Sequence, residues 1–191
     1  AQARPLAQAL VDSGLHTAEV TFRTPQALDA LAVFASHPEL LVGAGTVRAA
    51  EQVRRAQDAG ARFVVSPGFS ETVVAACRSR EVPVFPGVSS ATDIHRATEA
   101  GLDVLKFFPA EASGGAPAIA ALSAPFTDVR FIPTGGVGPH NLADYLALRA
   151  VCCVGGSWMV PGDVMRAGGW RRVTELCRGA VEEVARVRSG R

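Results

Sequence analysis

One local pattern recurs along this chain: an amphipathic segment ends at a Ser-Gly or Ala-Gly pair, and a short apolar run follows. It appears in DSGLHTAEVTF, DAGARFVVSP and EAGLDVLKFFP, where Gly14, Gly60 and Gly101 follow the amphipathic part. Glycine is common just beyond a helix because it adopts the left-handed conformation without strain. The pattern therefore predicts helices that each lead into a β-strand.

Four more apolar runs extend this alternation. They are Leu40 to Gly45, Val82 to Gly87, Arg130 to Gly136 and Ala150 to Gly156. Helix starts are indicated by Thr24-Pro25, Ser70 and Pro139. Strands that alternate with helices form right-handed βαβ units with a parallel sheet. The sequence therefore predicts an α/β fold, either an open doubly wound sheet or a closed (β/α)8 barrel.

The positions of the glycine-rich turns favour the barrel. No Gly-x-Gly-x-x-Gly motif follows the first strand, whereas Gly135-Gly136 and Gly155-Gly156 follow the last two. In a (β/α)8 TIM barrel, a phosphate site commonly lies after strands seven and eight. Only seven strands are apparent, and the chain opens on a helix from Arg4 to Ser13. We therefore predict that the first strand of the barrel precedes Ala1.

Composition excludes several classes of protein. A chain of 191 residues with 48% hydrophobic residues can bury a core as one domain, which we expect to span residues 1–191. A net charge of +1 gives no reason to expect nucleic acid or an anionic membrane as a partner. There is no apolar stretch of the roughly 18 residues that a membrane span needs, and the opening AQARPLAQAL lacks the apolar block that is expected of a signal peptide. A cytoplasmic protein is expected.

The cysteines indicate neither disulfides nor a metal site. Cys77 and Cys177 are isolated, and Cys152 and Cys153 are adjacent within AVCCVGG, a run that resembles a buried strand. Reduced thiols are expected. His16, His37, His95 and His140 show no ligand spacing and are expected at the surface. We predict no metal and no cofactor.

Lys106, in LKFFPAE, is the only lysine of the chain, and it lies in the middle of a predicted strand. Alternation along the strand places Val104, Lys106 and Phe108 on one face and Leu105 and Phe107 on the other. Burial of an amine favours its neutral, nucleophilic form, which is how Schiff-base lysines are activated. From this segment alone, a lysine that snorkels to solvent or pairs with a carboxylate remains the alternative.

The first strand, AEVTFR, carries three polar residues on its inward face: Glu19, Thr21 and Arg23. Arg23 stands at the carboxyl end of the strand, where barrel enzymes keep their active sites. Thr46 follows the next strand, in GAGTV. A catalytic carboxylate with a substrate-binding guanidinium and hydroxyl is one interpretation. A structural Glu19–Arg23 pair, with Thr46 as a helix cap, is the other.

Two glycine pairs are candidates for binding an anion: PTGGVGP with Gly135 and Gly136, and GGSWMVP with Gly155 and Gly156. Such turns expose consecutive backbone N–H groups, and the N-terminus of a following helix would add its dipole. Ser157 can contribute a hydroxyl. One Gly-Gly pair is usually only a tight turn, but two after successive strands predict a phosphate site.

The sequence resembles the 2-keto-3-deoxy-6-phosphogluconate (KDPG) aldolases, which often also act on 4-hydroxy-2-oxoglutarate (KHG). The resemblance runs through EVTFRT, VGAGTV, SPG, VPVFPGVSS, KFFPAEASGG, PFTDVRFIPTGGV, DYLAL and GGSWMVP. It implies a cofactor-free class I aldolase that cleaves a phosphorylated 2-keto acid to pyruvate and glyceraldehyde 3-phosphate. A homotrimer is implied as well.

The resemblance also implies a role for individual residues. Lys106 forms the iminium and Glu19 is the general acid/base. The substrate-binding residues are Arg23 and Thr46 for the carboxylate, Pro67 and Phe108 for the pocket wall, Thr134 near the new stereocentre, and Gly135, Gly136, Gly155, Gly156 and Ser157 for the phosphate. Three alternatives remain: an aldolase for the galactonate epimer, one that prefers unphosphorylated KHG, and a non-catalytic barrel that binds sugar phosphates.

Overall fold

Helices and short parallel strands alternate along the chain in the computed structural model, which describes residues 2–190. The strands are β1 (Thr17–Thr21), β2 (Leu41–Gly45), β3 (Phe63–Val65), β4 (Val84–Phe85), β5 (Gly87–Val88), β6 (Val104–Phe107) and β7 (Arg130–Pro133). The helices are α1 (Ala3–Ser13), α2 (Ala27–Ala35), α3 (Ala50–Asp58), α4 (Glu71–Ser79), α5 (Ala91–Glu99), α6 (Gly115–Ser123), α7 (Leu142–Leu146), α8 (Gly162–Arg166) and α9 (Trp170–Ser189). The predicted α/β class with parallel strands is confirmed.

The strands form two sheets, and the chain divides into two compact units. One sheet has the order β1-β2-β3-β4 and the other β5-β6-β7. The first unit runs up to Ser66 and includes Ser70–Val84 and Met159–Glu182. The second comprises Pro67–Phe69, Phe85–Trp158 and the residues from Glu183 on.

In the first unit, alternation along β2 separates a helix-facing side from a glycine side. Val42 and Ala44 are buried on one face, with 1% and 0% of their surface exposed. Gly43 and Gly45 lie on the opposite face and pair in register with Glu19 and Thr21 of β1. The β1 face that carries Glu19 therefore lies beside two residues that have no side chain.

The predicted helix ends are largely confirmed. Gly14 ends α1 with φ 79°, and Gly60 and Gly101, with φ 99° and 67°, follow the last residues of α3 and α5 by two positions. The hydroxyl of Ser70 accepts a hydrogen bond from the Val73 N–H at the start of α4. These local signals place the helices well because capping is decided within one turn.

In the second unit, the core lies on the helix-facing side of β6 and β7. Leu105, Phe107 and Phe131 are fully buried. The Phe107 and Phe131 rings pack edge to face, with centroids 6.3 Å apart. Since Leu105 and Phe107 point into this core, Lys106 between them points to the opposite face, as alternation predicts.

Two of the predicted strands are formed differently. The segment Val82 to Gly87 gives β4 and β5 instead of one strand, because Pro86 has no N–H to continue a ladder. The segment Ala150 to Gly156 forms only two isolated bridges to the end of β7, Phe131 with Val151 and Thr134 with Gly155. Between these two bridges the segment advances four residues while β7 and Thr134 advance three. The extra residue interrupts the strand as a β-bulge does.

The bulged segment corrects the interpretation of the adjacent cysteines. Cys152 is half-buried and Cys153 is exposed, so the prediction of a buried strand at this pair is wrong. All four cysteines are free thiols, with Cys77 and Cys177 buried. Within the described part of the chain, no helix is long and apolar enough to cross a membrane.

Candidate active site

Lys106 lies in the middle strand of the second sheet and is almost inaccessible, with 5% of its surface exposed. Its register partners are Gly87 of β5 and Ile132 of β7, and its N–H donates to the Pro86 carbonyl at 2.9 Å. Its side-chain nitrogen Nζ lies 4.9 Å from the centre of the Phe108 ring. The alternative of a lysine that snorkels to solvent is therefore wrong, and the amine lies against an aromatic face.

Pro67 and Gly87 border the lysine on the β5 side. A Cβ atom on Gly87 would overlap the carbonyl group of Pro67, so the backbone of Pro67 passes directly over the strand at this point. Gly87 is the register partner of Lys106. Of the predicted pocket residues, the structure therefore brings Pro67 and Phe108 close to the lysine.

The two glycine turns lie beside the ends of β6 and β7. The Thr134 N–H donates to the Phe107 carbonyl at 3.0 Å, which ties this turn to the strand that carries Lys106. Gly155 pairs with Thr134, and its N–H donates to the Pro133 carbonyl at 2.9 Å. A Cβ on Gly155 would lie 2.6 Å from the Thr134 hydroxyl oxygen. Thr134 thus stands between the two predicted phosphate-binding turns.

The surroundings of these turns differ from the prediction in one respect. Gly135 and Gly136 both have positive φ, 98° and 83°, while Gly156 and Ser157 are exposed. No helix begins directly after either turn: α7 starts at Leu142 and α8 at Gly162, and each has only five residues. The expected helix dipole is therefore weak here, and any anion depends on backbone N–H groups and the hydroxyls of Thr134 and Ser157.

The polar residues of β1 form a second group, in the first unit. The Arg23 guanidinium donates through Nε to the Thr21 hydroxyl at 3.1 Å. The Glu19 carboxylate lies over Gly45, where a Cβ atom would overlap it. Glu19 and Arg23 are exposed and Thr21 is half-buried. Thr21 thus orients Arg23, and the absence of a side chain on Gly45 leaves room for Glu19. Both charged side chains are open to solvent.

Thr46 belongs to the same edge of the first sheet. It directly follows Gly45, whose carbonyl accepts the Phe22 N–H at 2.7 Å. Its φ of 58° lies in the left-handed region, which is rare for a β-branched residue and costs on the order of 1–3 kcal/mol. Such strain is concentrated at functional sites, which favours the binding interpretation of Thr46 over a capping role.

The structure therefore distributes the predicted residues over two groups. Glu19, Arg23 and Thr46 lie in the first unit, and the other eight residues, from Pro67 to Ser157, lie with Lys106 in the second. Among residues 2–190 there is no group of three or more His, Cys, Asp or Glu side chains suited to a metal. Of the histidines, His16, His95 and His140 are exposed and His37 is half-buried.

Three residues around the Gly135–Gly136 turn were not singled out in the sequence: Glu111, Asn141 and Tyr145. Tyr145 and Asn141 are buried, with 0% and 9% of their surface exposed, and both take part in hydrogen bonds close to the turn. One sequence signal could have drawn attention to them. The chain has a single tyrosine and a single asparagine, just as it has a single lysine.

Comparison with known proteins adds evidence that is independent of this geometry. Residues 1–176 match the family model described as KDPG and KHG aldolase. The chain is 47% identical over 179 residues to the KHG/KDPG aldolase of Escherichia coli K12, covering 93% of this chain and 84% of that protein. It is 50% identical over 181 residues to a 2-dehydro-3-deoxy-phosphogluconate aldolase of Treponema pallidum, covering 94% and 86%.

A solved structure is similar over the same extent. The crystal structure of KDPG aldolase from Legionella pneumophila, with pyruvate captured at low pH as a covalent carbinolamine intermediate, superposes with a TM-score of 0.90. The two sequences are 43% identical, and the match covers 93% of this chain and 87% of that one. The range of the family model, residues 1–176, includes residues of both units and every predicted site residue up to Ser157.

Proposed function

Because the chain belongs to the KDPG and KHG aldolase family, we propose that it cleaves KDPG to pyruvate and glyceraldehyde 3-phosphate through a Schiff base on Lys106. The observation that carries this proposal is the environment of the only lysine. Lys106 is 5% exposed, lies in a central strand and has an aromatic ring beside its amine. A buried amine of this kind is suited to attack a carbonyl carbon.

The reaction proceeds by covalent catalysis. The Lys106 amine adds to the C2 carbonyl to give a carbinolamine, which loses water to form a protonated imine. The C3–C4 bond then breaks, its electron pair moves toward the imine nitrogen, and the C4 hydroxyl loses its proton as the aldehyde departs. The remaining enamine takes a proton at C3, and hydrolysis of the imine releases pyruvate and the free lysine.

Glu19 is the proposed carrier of these protons. A carboxylate can accept the C4 hydroxyl proton and return a proton at the dehydration and protonation steps. Support comes from its position over Gly45, where the missing side chain leaves the carboxylate room on the strand face. Glu19 thus supplies general acid/base catalysis, while Lys106 supplies the electron sink.

Arg23 and Thr46 are the proposed ligands of the substrate carboxylate. A guanidinium binds a carboxylate through two parallel N–H donors, and the bond from Arg23 Nε to Thr21 orients this side chain. The strained backbone of Thr46 supports a role in binding. Holding the carboxylate fixes the adjacent carbonyl carbon, which is how orientation contributes to the rate.

The other substrate contacts are proposed around Lys106. Pro67 and Phe108 form the pocket wall, and Thr134 lies near the stereocentre. The terminal phosphate is bound by the N–H groups of Gly135, Gly136 and Gly156 and by Ser157, while Gly155, whose own N–H is bonded to the Pro133 carbonyl, shapes the second turn. The turns consist of Gly135, Gly136, Gly155 and Gly156. Support comes from the pairing of Thr134 with Gly155, which holds the two turns side by side.

Borohydride reduction in the presence of pyruvate tests this function. The expected result is a stable pyruvate adduct on the Lys106 peptide, detected by mass spectrometry. Lys106→Arg keeps a positive charge but cannot form the imine, and it is the matched control. Peptide mapping separates an adduct on Lys106 from one on the N-terminal amine. Absence of the Lys106 adduct in the folded protein contradicts the proposal and favours a non-catalytic protein that binds sugar phosphates.

Substrate choice is tested by comparing cleavage rates. We propose the gluconate substrate, with KHG cleaved to pyruvate and glyoxylate as a second activity. The observation that favours a phosphorylated substrate is the presence of two adjacent glycine turns beside the lysine strand. Faster cleavage of the 6-phosphogalactonate epimer, or of unphosphorylated KHG, would identify one of the sister activities instead.

Three further properties are proposed on the same basis. The chain forms a homotrimer, for which light scattering should give three times the 19.9 kDa chain mass. Residues 1–191 fold as one cooperative domain of the (β/α)8 class, which should unfold in one transition. A cytoplasmic location stays a prediction of the sequence, and cell fractionation tests it.

A further inference from the structure

The Gly135–Gly136 turn is supported on one side by Glu111. Both glycines have positive φ, and a Cβ on Gly136 would overlap the Cγ atom of Glu111, so the glutamate stem packs directly on the turn. The Glu111 N–H donates to the Gly135 carbonyl at 3.0 Å, and the Ala110 N–H donates to the Thr134 carbonyl at 2.9 Å. These contacts hold the carbonyl side of the turn.

Tyr145 in turn fixes the side chain of Glu111. Its hydroxyl donates a hydrogen bond to the Glu111 carboxylate. Burial raises the pKa of Tyr145, and the hydrogen bond to the carboxylate raises it further. The phenol therefore remains a donor over the whole physiological pH range. A fully buried ring on α7 thus anchors an otherwise exposed glutamate.

Asn141 holds the other side of the turn. Its amide Nδ2 donates to the Gly136 carbonyl at 3.1 Å, and its Oδ1 accepts the Gly138 N–H at 2.8 Å. One buried side chain, on the residue directly before α7, thus satisfies two backbone groups of the turn region. Because a pair of glycines has great conformational freedom, the turn needs such external contacts to keep one shape.

We propose that Glu111, Asn141 and Tyr145 act together as positioning residues that hold the Gly135–Gly136 turn in the shape that binds the terminal phosphate. The inference rests on the proposed function, in which this turn receives the phosphate. None of the three needs to touch substrate. They determine how strongly the enzyme distinguishes phosphorylated from unphosphorylated 2-keto acids, because backbone N–H groups bind an anion only while they converge on it.

The experiment compares two readouts that involve different parts of a substrate. The first is binding of inorganic phosphate, followed by 31P NMR line broadening. The second is the rate of borohydride trapping with pyruvate, which has no phosphate. The variants are Tyr145→Phe, which removes only the hydroxyl, and Asn141→Ala. Ser13→Ala is the matched control, since Ser13 is a buried hydroxyl that donates to the Leu10 carbonyl in the other unit.

We expect Tyr145→Phe and Asn141→Ala to weaken phosphate binding about five- to tenfold each, the effect of losing a buried hydrogen-bond partner. Pyruvate trapping should change less than about twofold, since only phosphate depends on the turn. KM for KDPG should rise by a factor similar to the increase in the dissociation constant for phosphate, while KM for KHG should stay near its original value. Glu111→Gln, which keeps the stem and an acceptor, should retain more phosphate affinity than Glu111→Ala.

Two results would overturn the inference. One is unchanged phosphate binding in both variants. The other is a parallel loss of phosphate binding and pyruvate trapping, which indicates general destabilisation. A wild-type protein that binds phosphate but does not trap pyruvate refutes the aldolase proposal alone, since the phosphate comparison between variants still decides the role of the three residues.

Discussion

Strands β6 and β1 each carry an ionisable side chain with a proposed catalytic role, yet the two side chains have very different surroundings. Lys106 is 5% exposed, whereas Glu19 is exposed. β6 is the middle strand of its sheet, and β1 is at the edge of the other sheet as far as residues 2–190 are concerned. The same alternation therefore gives one residue a dry environment and leaves the other hydrated.

This difference agrees with the chemistry proposed for each residue. A nucleophilic amine benefits from desolvation because its neutral form is the reactive one. A carboxylate that both accepts and returns protons needs access to a proton source. The comparison suggests that substitution at Lys106 removes the reaction itself, whereas substitution at Glu19 slows its proton transfers.

The largest effect is expected for Lys106→Met. The variant should lose KDPG cleavage by on the order of 10⁴-fold or more, since removal of a covalent nucleophile has effects of that scale. Steady-state assays and borohydride trapping measure this. Because methionine fills a similar volume in apolar surroundings, the fold should persist, and circular dichroism checks it. Cleavage within tenfold of the original rate would show that another amine is used.

A smaller loss is expected for Glu19→Gln. Removal of a general acid/base lowers kcat by about 10²- to 10⁴-fold, while substrate binding changes little. Because the side chain is exposed, the free energy of unfolding should change by no more than about 0.5 kcal/mol. Glu39→Gln, at another exposed glutamate, is the matched control. If both variants keep full kcat, Glu19 has no catalytic role.

The two units can be compared through their cores. Phe107→Ala in the second unit should cost about 3–5 kcal/mol of unfolding free energy, and Leu31→Ala in the first about 2–5 kcal/mol, since both side chains are fully buried. The chain has two tryptophans, Trp158 in the second unit and Trp170 in the first. The variants Trp158→Phe and Trp170→Phe therefore each leave a fluorescence probe of one unit.

If residues 1–191 form one cooperative domain, both probes should report the same urea midpoint, and either core substitution should lower both midpoints together. Separate midpoints would mean that the two units unfold independently. In that case Phe107→Ala should shift only the Trp158 signal.

A moderate effect is expected for Gly45→Ala. The added methyl group overlaps the Glu19 carboxylate and forces it to a new position. A displacement of about 1 Å in a catalytic group can cost up to 100-fold, so kcat should fall about 10- to 100-fold. Gly179→Ala, where a Cβ meets nothing within 4 Å, is the control. An unchanged kcat would show that catalysis does not depend on the observed position of the Glu19 carboxylate.

The smallest functional effect concerns the cysteines. Their pKa is raised in the first unit, whereas that of Cys152 in the second unit is lowered. In the first unit, burial raises the pKa of Cys77 and of Cys177 to about 11. In the second, the hydrogen bond from Cys153 lowers the pKa of Cys152 to about 6, helped by Arg188. A thiol reacts as its thiolate, which is present above its pKa. Iodoacetamide should therefore label Cys152 much faster at pH 7.5 than at pH 5.

Mass spectrometry of the labelled peptides measures these rates, and Cys77 and Cys177 should remain unlabelled at both pH values. KDPG cleavage should stay within about twofold after labelling of Cys152, since the prediction places this thiol outside the catalytic groups. Equal labelling of all four cysteines at pH 7.5 would contradict the assigned environments.

Local sequence signals were sufficient for much of the fold and of the site. Helix ends at Gly14, Gly60 and Ser70 follow from chemistry within one turn. The face on which Lys106 lies follows from alternation and from the hydrophobic residues on either side of it. Because these signals depend only on neighbours in the chain, they could be read without a structure.

Other features depend on residues that are distant in sequence. For these features the sequence led to either a wrong prediction or no prediction. AVCCVGG has the composition of a buried strand, but its register against β7 includes an extra residue, and Cys153 is exposed as a result. Glu111 and Tyr145 are 34 residues apart and meet only in the folded chain.

The sequence by itself determined the alternation of helices and strands, and it was enough to predict the sole lysine as the nucleophile and the glycine turns as anion sites, because residue type and spacing carry that information. The tertiary structure alone decided that Lys106 is buried while Glu19 is exposed. It also decided which side chains hold the Gly135–Gly136 turn. Burial and support depend on the strands and helices that lie beside a residue in space, and spacing along the chain does not specify them.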